Sequence, residues 1–232
     1  MNFKKAEKTN TNQKNKRLKS EYTIKRIKEK YLLLIKEKKW DKITVKEICA
    51  EANITRGTFY QYFNDIYDLM EQIETPLLQE IANEYKTISK MSIQHYPLVL
   101  FEEKFDYTPP KTLLIWFDFC KKHRNKIAVL LGPNGDSYFI SKLKNILKGQ
   151  INLMMDGDGM PNDELRKHFS KIFLELHFLA ARTWLESSED NFLPVESIIN
   201  LLNTMRVGAN YLSYRRLVSP DFDIKMKIPE EG

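Results

Sequence analysis

The chain has few of the residues that would indicate disulfide bonding, a thiolate metal site or membrane insertion. Its 232 residues include two cysteines, Cys49 and Cys120, whose wide separation favours neither a disulfide framework nor paired metal ligands. No apolar run approaches the roughly 20 residues of a spanning helix, and the first 20 residues lack the apolar core of a secretory signal. We therefore expect a soluble cytoplasmic protein without a membrane partner.

Patterns for catalysis or cofactor binding are also missing. The histidines show no i, i+4 pair suited to a helical zinc site, and they lie at positions 95, 123, 168 and 177. The stretch from Gly132 to Ser137 lacks the Gly-Lys-Ser/Thr of a phosphate loop. Asp156 starts a segment similar to a calcium loop, but Pro161 occupies the position of that loop's glycine turn. We predict no catalytic residue, no metal and no cofactor.

Positive charge is concentrated at one end of the chain. Residues 1 to 42 carry 13 Lys and 2 Arg against 4 Glu and 1 Asp, a net charge of +10 within a total of +6. Such an asymmetry indicates a polyanionic partner for the basic end. Residues 1 to 20 are either a flexible solvated arm or an arm that lies against DNA, and the two alternatives are compatible.

Hydrophobic periodicity predicts helices throughout and an all-α fold. One amphipathic helix is expected from about residue 21 to 38 and a short one near 45 to 52. Asp65 and Asp68 start another helix, in which Pro76 either makes a kink or lies in the first turn of a new helix. Residues 95 to 111 have the proline content of a loop. Further helices are expected near 111 to 124, 136 to 155, 162 to 186 and 195 to 216.

The segment from Ile43 to Leu69 has the pattern of two short capped helices joined by a tight turn. Thr44 and Glu47 have the spacing of a capping box, and Asn53 tolerates the left-handed conformation of a sharp turn. Thr55 caps the following helix, whose inward face carries Phe59 and Phe63. Its outer faces carry groups able to contact phosphates and base edges: Arg56, Thr58, Tyr60, Gln61 and Tyr62. This pattern predicts a DNA recognition helix.

Residues 21 to 70 resemble the N-terminal domain of TetR-family transcriptional regulators. The positions that agree run from a capped second helix to the aromatic end of a third: Thr44-Val45, Ile48, Ala52, Ile54, Thr55, Gly57-Thr58-Phe59-Tyr60, Tyr62-Phe63 and Asp68-Leu69. The rest of the chain is more loosely similar to the C-terminal domain of a Firmicutes-type branch of the family. That second similarity lies in residues 116 to 124, 130 to 139 and 180 to 185.

The resemblance implies which residues contact DNA. Four occupy positions that face bases: Lys46, Arg56, Gly57 and Gln61. Four more occupy positions that hold phosphates or pack on the sugar: Thr44, Thr58, Tyr60 and Tyr62. Two positions depart from the family, because Tyr62 stands where His is frequent and Ile66 stands where a phosphate-binding Lys is frequent. Ile66 cannot donate a hydrogen bond, so we expect one contact to the DNA backbone to be missing.

Aromatic residues crowd the C-terminal part of the chain. Most are expected to form a core, and a few are candidates for an apolar effector pocket with a polar group for orientation. The candidate pocket residues are Trp116, Phe119, Phe139, Phe173 and His177.

Two further helices have broad apolar or small-residue faces, which either close the core of the monomer or form a four-helix bundle between two copies. These faces consist of Leu176, Leu179, Ala180 and Thr183, and of Ile198, Leu201, Leu202, Met205, Gly208 and Leu212. We expect a homodimer, because helix-turn-helix proteins normally bind DNA as symmetric pairs.

These features predict four segments along the chain. They are a basic flexible arm (1–20), a helix-turn-helix DNA-binding domain of three helices (21–70), a larger helical regulatory and dimerisation domain (71–218) and a tail (219–232). The resemblance implies a homodimeric repressor that binds a pseudo-palindromic operator in double-stranded DNA and responds to a small apolar or aromatic ligand.

Two alternatives stay open at this point. The absence of a lysine at Ile66 is compatible with a coregulator of the same fold that acts through a protein partner and has weak or no DNA binding. The least favoured alternative uses the basic residues 1 to 42 to bind an anionic membrane surface.

Overall fold

The computed structural model describes residues 3–88, 101–187 and 193–219, and for residues 3–13 and Lys104 it describes the backbone only. These ranges form ten α-helices and contain no β-strand, which confirms the all-α fold. The chain divides into two compact units, which are described separately: an N-terminal unit of Met1–Leu77 and Val129–Ser137, and a C-terminal unit of Leu78–Ala128 and Tyr138–Gly232. Within the described ranges, every helix is too short or too polar to cross a lipid bilayer.

The N-terminal unit is built from three complete helices and the first part of a fourth. In chain order these are α1 (Phe3–Ile35), α2 (Val45–Glu51), α3 (Arg56–Tyr60) and α4 (Ile66–Ile88), with a 3₁₀ turn at Trp40–Lys42. Their apolar faces form one core of nearly inaccessible side chains: Ile27, Tyr31, Ile35, Ile48, Phe59, Phe63 and Leu69. Burial of this surface is the main source of stability of the unit.

Helix α1 differs from the sequence prediction at both ends. It begins at Phe3, far ahead of the predicted start near residue 21, and it ends at Ile35. Residues 3 to 20 contain neither proline nor glycine and are rich in Lys, which is a good helix former. The basic segment is therefore a continuation of α1, and the predicted helix start near residue 21 is wrong.

Pro76 lies inside α4, which runs without a break from Ile66 to Ile88. The alternative in which a new helix begins at this proline is therefore wrong. Ile73 and Leu77 are buried on either side of the exposed Pro76, and their packing holds the two helical segments in line. A helix can tolerate an internal proline when such packing compensates for the lost hydrogen bond.

The C-terminal unit contains the second part of α4 and most of the remaining helices. These are α5 (Phe101–Lys104), α6 (Lys111–Lys122), α7 (Arg124–Leu130), α8 (Ser137–Gly157), α9 (Glu164–Glu186) and α10 (Val195–Val218). Helix α7 was not predicted; the chain turns at His123, whose carbonyl accepts from the N–H groups of Lys126 and Ile127, both at 2.9 Å. Of the loop predicted between 95 and 111, residues 95–100 lie outside the described ranges, and the described part contains only the short helix α5 before α6 begins. Nearly all of the tail predicted from 219 lies outside the described residues.

A buried ion pair organises the polar interior of the C-terminal unit. Arg206 of α10 is 4% exposed, and its Nε donates to Asp158 Oδ2 at 2.7 Å. The guanidinium also donates to the carbonyls of Asp106 and Thr108, both at 3.2 Å. These hydrogen bonds satisfy N–H groups of the guanidinium, whose charge would destabilise the unit if it were buried without partners. Arg206 thereby holds the segment before α6 against α10.

The segment Val129–Ser137 packs with the N-terminal unit, a grouping that the sequence did not indicate. The Trp40 N–H donates to the Asn134 carbonyl at 3.0 Å, and Asn134 Nδ2 donates to the Lys36 carbonyl at 3.3 Å. Gly135 is required for this loop, because a Cβ atom there would lie 2.1 Å from the carbonyl oxygen of Leu130. The turn after α1 thus depends on a loop about a hundred residues further along the chain.

Gly135→Ala should destabilise the protein by about 1 to 3 kcal/mol, because the added methyl group overlaps backbone that cannot move aside freely. Gly149→Ala is the matched control: a Cβ atom at that exposed position of α8 meets nothing within 4 Å. This control should stabilise α8 by up to about 1 kcal/mol, through helix propensity alone. Thermal unfolding of both variants tests the prediction, which an unchanged midpoint for Gly135→Ala would contradict.

Candidate nucleic-acid interface

Local hydrogen bonds fix α2 and the turn that follows it. The Thr44 N–H donates to Glu47 Oε2 at 2.7 Å, and the Glu47 N–H donates to Thr44 Oγ1 at 3.3 Å, which confirms the predicted capping box. Asn53 has a φ of 47°, the predicted left-handed conformation. The Ile54 N–H then donates to the Cys49 carbonyl at 3.0 Å, so the chain leaves α2 in a fixed direction.

Helix α3 is short, and its two ends are held by different interactions. Thr55 Oγ1 accepts from the Thr58 N–H at 3.1 Å and lies 3.0 Å from the Thr58 hydroxyl. Phe59 and Phe63 are 0% and 2% exposed, with ring centroids 5.5 Å apart. The cap and the two buried rings fix the rotation of α3 about its axis, and hence which side chains face solvent.

The opposite side of α3 presents polar and aromatic groups to solvent. Arg56, Gly57 and Gln61 are exposed, and Tyr60 is 57% exposed. Lys46 and Thr44 are exposed at the start of α2. Around Gly57 the nearest group to an added Cβ would be Thr55 Oγ1 at 3.7 Å, so the backbone there is open to close approach. We call the exposed side chains of Lys46, Arg56, Tyr60 and Gln61, together with Gly57, the recognition surface.

Charged residues lie on α1, on the turn after it and on α2: one acidic residue, Glu47, is paired with a lysine, and several cations of α1 are exposed. Glu47 is neutralised by Lys38, with Nζ and Oε1 2.9 Å apart, and hydrogen bonds from Lys38 and Thr44 lower the pKa of its carboxyl to about 2. Four further cations stand exposed on the first described side chains of α1: Lys14, Lys16, Arg17 and Lys19. Ser20 of α1 bonds to Tyr62 just beyond α3, and the cationic segment that precedes Ser20 suits an extended phosphate backbone.

The comparison with known families addresses this same segment. Residues 33–73 match the family described as "Bacterial regulatory proteins, tetR family". The segment that carries the recognition surface is therefore similar to the DNA-binding part of that family. No curated protein matches the chain in sequence.

Solved structures of TetR-family proteins share the fold over most of the chain. A TetR transcriptional regulator from Streptococcus agalactiae 2603V has a TM-score of 0.52 at 18% identity, covering 82% of this chain and 96% of that one. A tetR-family transcriptional regulator from Streptomyces coelicolor has a TM-score of 0.51 at 17% identity, covering 91% and 92%. The fatty acid degradation regulator FadR from Bacillus halodurans has a TM-score of 0.51 at 15% identity, covering 80% and 95%. The Firmicutes-type branch stays a prediction.

Two of the residues that the family resemblance assigns to phosphate contacts already use their hydroxyls within the N-terminal unit. The hydroxyl of Thr58 lies against that of Thr55, and the hydroxyl of the half-buried Tyr62 donates to Ser20 Oγ at 3.3 Å. Ser20 of α1 was not among the predicted site residues, and no local pattern could have indicated it, because it lies 42 positions before Tyr62. Ile66 is half-buried at the start of α4.

The predicted effector pocket residues are all buried in the C-terminal unit. Trp116, Phe119, Phe139, Phe173 and His177 are at most 3% exposed. The Phe173 and His177 rings meet edge to face at 4.7 Å, and Trp116 Nε1 donates to the His177 carbonyl at 3.3 Å. His177 Nδ1 lies 2.6 Å from the Phe173 carbonyl, which assigns the ring proton to Nδ1. Burial lowers the pKa of this imidazole to about 4, so it is neutral near pH 7.

A cavity lies elsewhere in the C-terminal unit, between the start of α9 and the end of α10. Its volume is about 550 Å³. Its lining is mainly apolar and includes Leu165, Phe169, Met205, Gly208, Leu212 and Leu217. None of the five predicted pocket residues lines it.

Because folding lowers the pKa of His177 from its ordinary 6.5 to about 4, the unfolded chain binds the extra proton between these values. Stability should therefore fall as the pH drops from about 6.5 to 4, by up to about 3 kcal/mol from this group. His177→Gln should remove that part of the pH dependence in thermal unfolding. His168→Gln is the control, since exposed His168 has the same Nδ1 contact to the carbonyl four residues earlier, at 2.9 Å. Equal pH slopes for wild type and His177→Gln would contradict the prediction.

Proposed function

We propose that the protein is a ligand-responsive transcriptional repressor that binds a pseudo-palindromic operator as a homodimer. One observation supports DNA binding above the others: Arg56, Tyr60 and Gln61 are exposed on a helix whose opposite side is locked by Phe59 and Phe63. Arginine and glutamine are suited to bidentate contacts with guanine and adenine edges in a major groove. Backbone contacts are supplied by Thr44 and Tyr60 and by the cations of α1. Thr58 and Tyr62 join them when their hydroxyls turn from Thr55 and Ser20 to a phosphate.

The proposed effector is a small apolar or aromatic molecule that binds in the C-terminal unit. Aromatic rings surround the neutral imidazole of His177, and apolar rings around one polar group are the usual composition of a small-molecule site. These rings are packed together, so they must separate before an effector can bind. An effector of this kind alters DNA binding only if it prefers one state of the protein, and a coupling of about 1 to 3 kcal/mol changes the affinity roughly 5 to 150-fold.

A coregulator of the same fold is the alternative, and the side chain of Ile66 favours it. Ile66 is the first residue of α4 and is half-buried, so it offers no donor to a phosphate at that place. A protein partner would then supply the function. Failure of the protein to bind any genomic DNA, with specific capture of another regulator, would support this alternative over the first.

Selection of bound sequences from random duplex DNA should yield a palindromic site, which then allows affinity to be measured across salt concentrations. Arg56→Ala and Gln61→Ala should each weaken binding by about 1 to 3 kcal/mol and relax specificity at single base positions. The matched controls are Lys126→Ala on α7 and Gln79→Ala on α4, which remove an exposed charge and an exposed amide elsewhere. Equal losses from the controls would contradict base recognition by α3.

The homodimer is proposed to form through α9 and α10. Leu179, Leu201 and Met205 from the predicted faces are 49%, 52% and 41% exposed, whereas Ile198 and Leu202 are buried in the unit's own core. Leu165, Ile172 and Leu217 extend the exposed apolar surface and are 55%, 60% and 55% exposed. An apolar surface of this extent on two adjacent long helices favours association with a second copy.

Leu179→Lys combined with Met205→Lys should convert the dimer to a monomer, because two charges would be buried without partners in each half of the interface. Leu114→Lys on α6 is the control, since Leu114 is an exposed leucine, 38% accessible, on another helix. Sedimentation equilibrium measures the mass of each variant. The double variant should also lose operator affinity, because two half-sites bind together only through the dimer. A dimeric double variant would contradict the assignment of the interface.

A further inference from the structure

The backbone of α4 has an incomplete hydrogen-bond pattern at Pro76. Proline has no N–H, so the carbonyl of Gln72, four residues earlier, lacks its usual helical donor. Lys28 of α1 donates to that carbonyl, with Nζ 2.8 Å from the oxygen. The acceptor that Pro76 frees is therefore used to join α1 to α4.

The side chain of Gln72 extends this contact to the end of the recognition helix. Its Nε2 donates to the Tyr62 carbonyl at 3.3 Å and to Asp68 Oδ1 at 3.0 Å. Tyr62 lies two residues beyond the end of α3. Gln72 thus contacts α1 through its backbone and the end of α3 through its amide.

The same lysine lies close to the aromatic and acidic groups at the α3–α4 turn. Its Nζ is 6.0 Å from the centre of the buried Phe63 ring. Asp68 accepts from the Asn64 N–H at 2.7 Å, and the pKa of its carboxyl is lowered by that bond, by Gln72 and by the charge of Lys28. The charge of Lys28 therefore stabilises the α3–α4 turn through three groups: the Gln72 carbonyl, the Phe63 ring and the Asp68 carboxylate.

We propose that Lys28 is a positioning residue for DNA recognition, which holds the end of α3 in place by donating to the carbonyl that Pro76 frees. Its effect on DNA binding rests on the proposed function, whereas its effect on the fold does not. Lys28 acts through Gln72 and makes no contact with DNA in this role. Lys28 and Pro76 then form a functional pair, since the proline creates the acceptor that the lysine satisfies.

Pairing of this kind is tested by a double-mutant cycle on the full chain. Lys28→Met keeps an unbranched side chain of similar length but removes its donor, so the Gln72 carbonyl loses its bond, and the midpoint of thermal unfolding should fall by roughly 2 to 6 °C. In a Pro76→Ala background the restored N–H of residue 76 can donate to the same carbonyl, so Lys28→Met should have little effect there. Lys28→Arg keeps a donor and should retain most of the stability.

Hydrogen exchange gives a local measure in the same variants. The N–H groups of Tyr62 and Phe63 both donate to the Phe59 carbonyl, at 3.0 and 3.1 Å. Their exchange should be faster in Lys28→Met, and it should be slow again when Pro76→Ala is added. Equal effects of Lys28→Met on stability and exchange in both backgrounds would overturn the pairing.

Operator affinity tests the consequence for recognition and separates it from a direct phosphate contact. Lys28→Met should weaken binding to the selected duplex roughly threefold to tenfold, with the salt dependence unchanged and the loss recovered by Pro76→Ala. A phosphate contact would instead give the same loss in both backgrounds and lower the salt slope by about 1, which would overturn the positioning role.

Lys25→Met provides the matched control for charge. Lys25 lies one turn earlier on α1, its side chain is 75% exposed, and its Nζ is 3.8 Å from Glu29 Oε1. This variant should change stability and affinity less than Lys28→Met, and equal changes would contradict a specific role for Lys28. If the wild-type protein binds no DNA, the proposed function fails and the recognition role fails with it. The unfolding cycle would still decide whether Lys28 and Pro76 are coupled.

Discussion

Burial of Phe59 and Phe63 is the interaction on which the recognition surface depends. Helix α3 has five residues and is too short to be stable alone, because the conformational entropy lost in forming the first turn exceeds the free energy gained from its hydrogen bonds. The two rings are nearly inaccessible, and with the Thr55 cap they fix the helix in one rotation. Arg56, Tyr60 and Gln61 are therefore exposed because Phe59 and Phe63 are buried on the opposite side of the helix. Packing against the apolar core of the N-terminal unit therefore stabilises a helix that would not form alone.

Local features of this unit could be predicted from the sequence because their partners lie within a few residues. The capping box of Thr44 and Glu47, the left-handed Asn53 and the Thr55 cap are all of this kind, and all are confirmed. The start of α1 was predicted wrongly, because hydrophobic periodicity reports only the part of a helix that packs. The basic residues before it have good helix propensity but no apolar stripe, so their helical state left no periodic signal.

Contacts between distant residues could not be predicted, since each helix pattern shows which face is apolar but not what covers it. Asn134 reaches Lys36 across 98 positions, and Tyr62 reaches Ser20 across 42. The same limit applies to the C-terminal unit, where Arg206 has four acceptors from three separate segments only because the fold assembles them. Aromatic composition likewise could not distinguish a packed core from a ligand site, and the five candidate residues are packed together with the core.

Pro76 links the stability of the N-terminal unit to the course of α4. The residue next to it, Leu77, ends the first segment of that unit, while the helix itself continues to Ile88. A missing backbone hydrogen bond lowers the energy needed to bend a helix at that place. Side-chain bonds from Lys28 and Gln72 join this part of α4 to α1 and to the end of α3, where the backbone bond is missing.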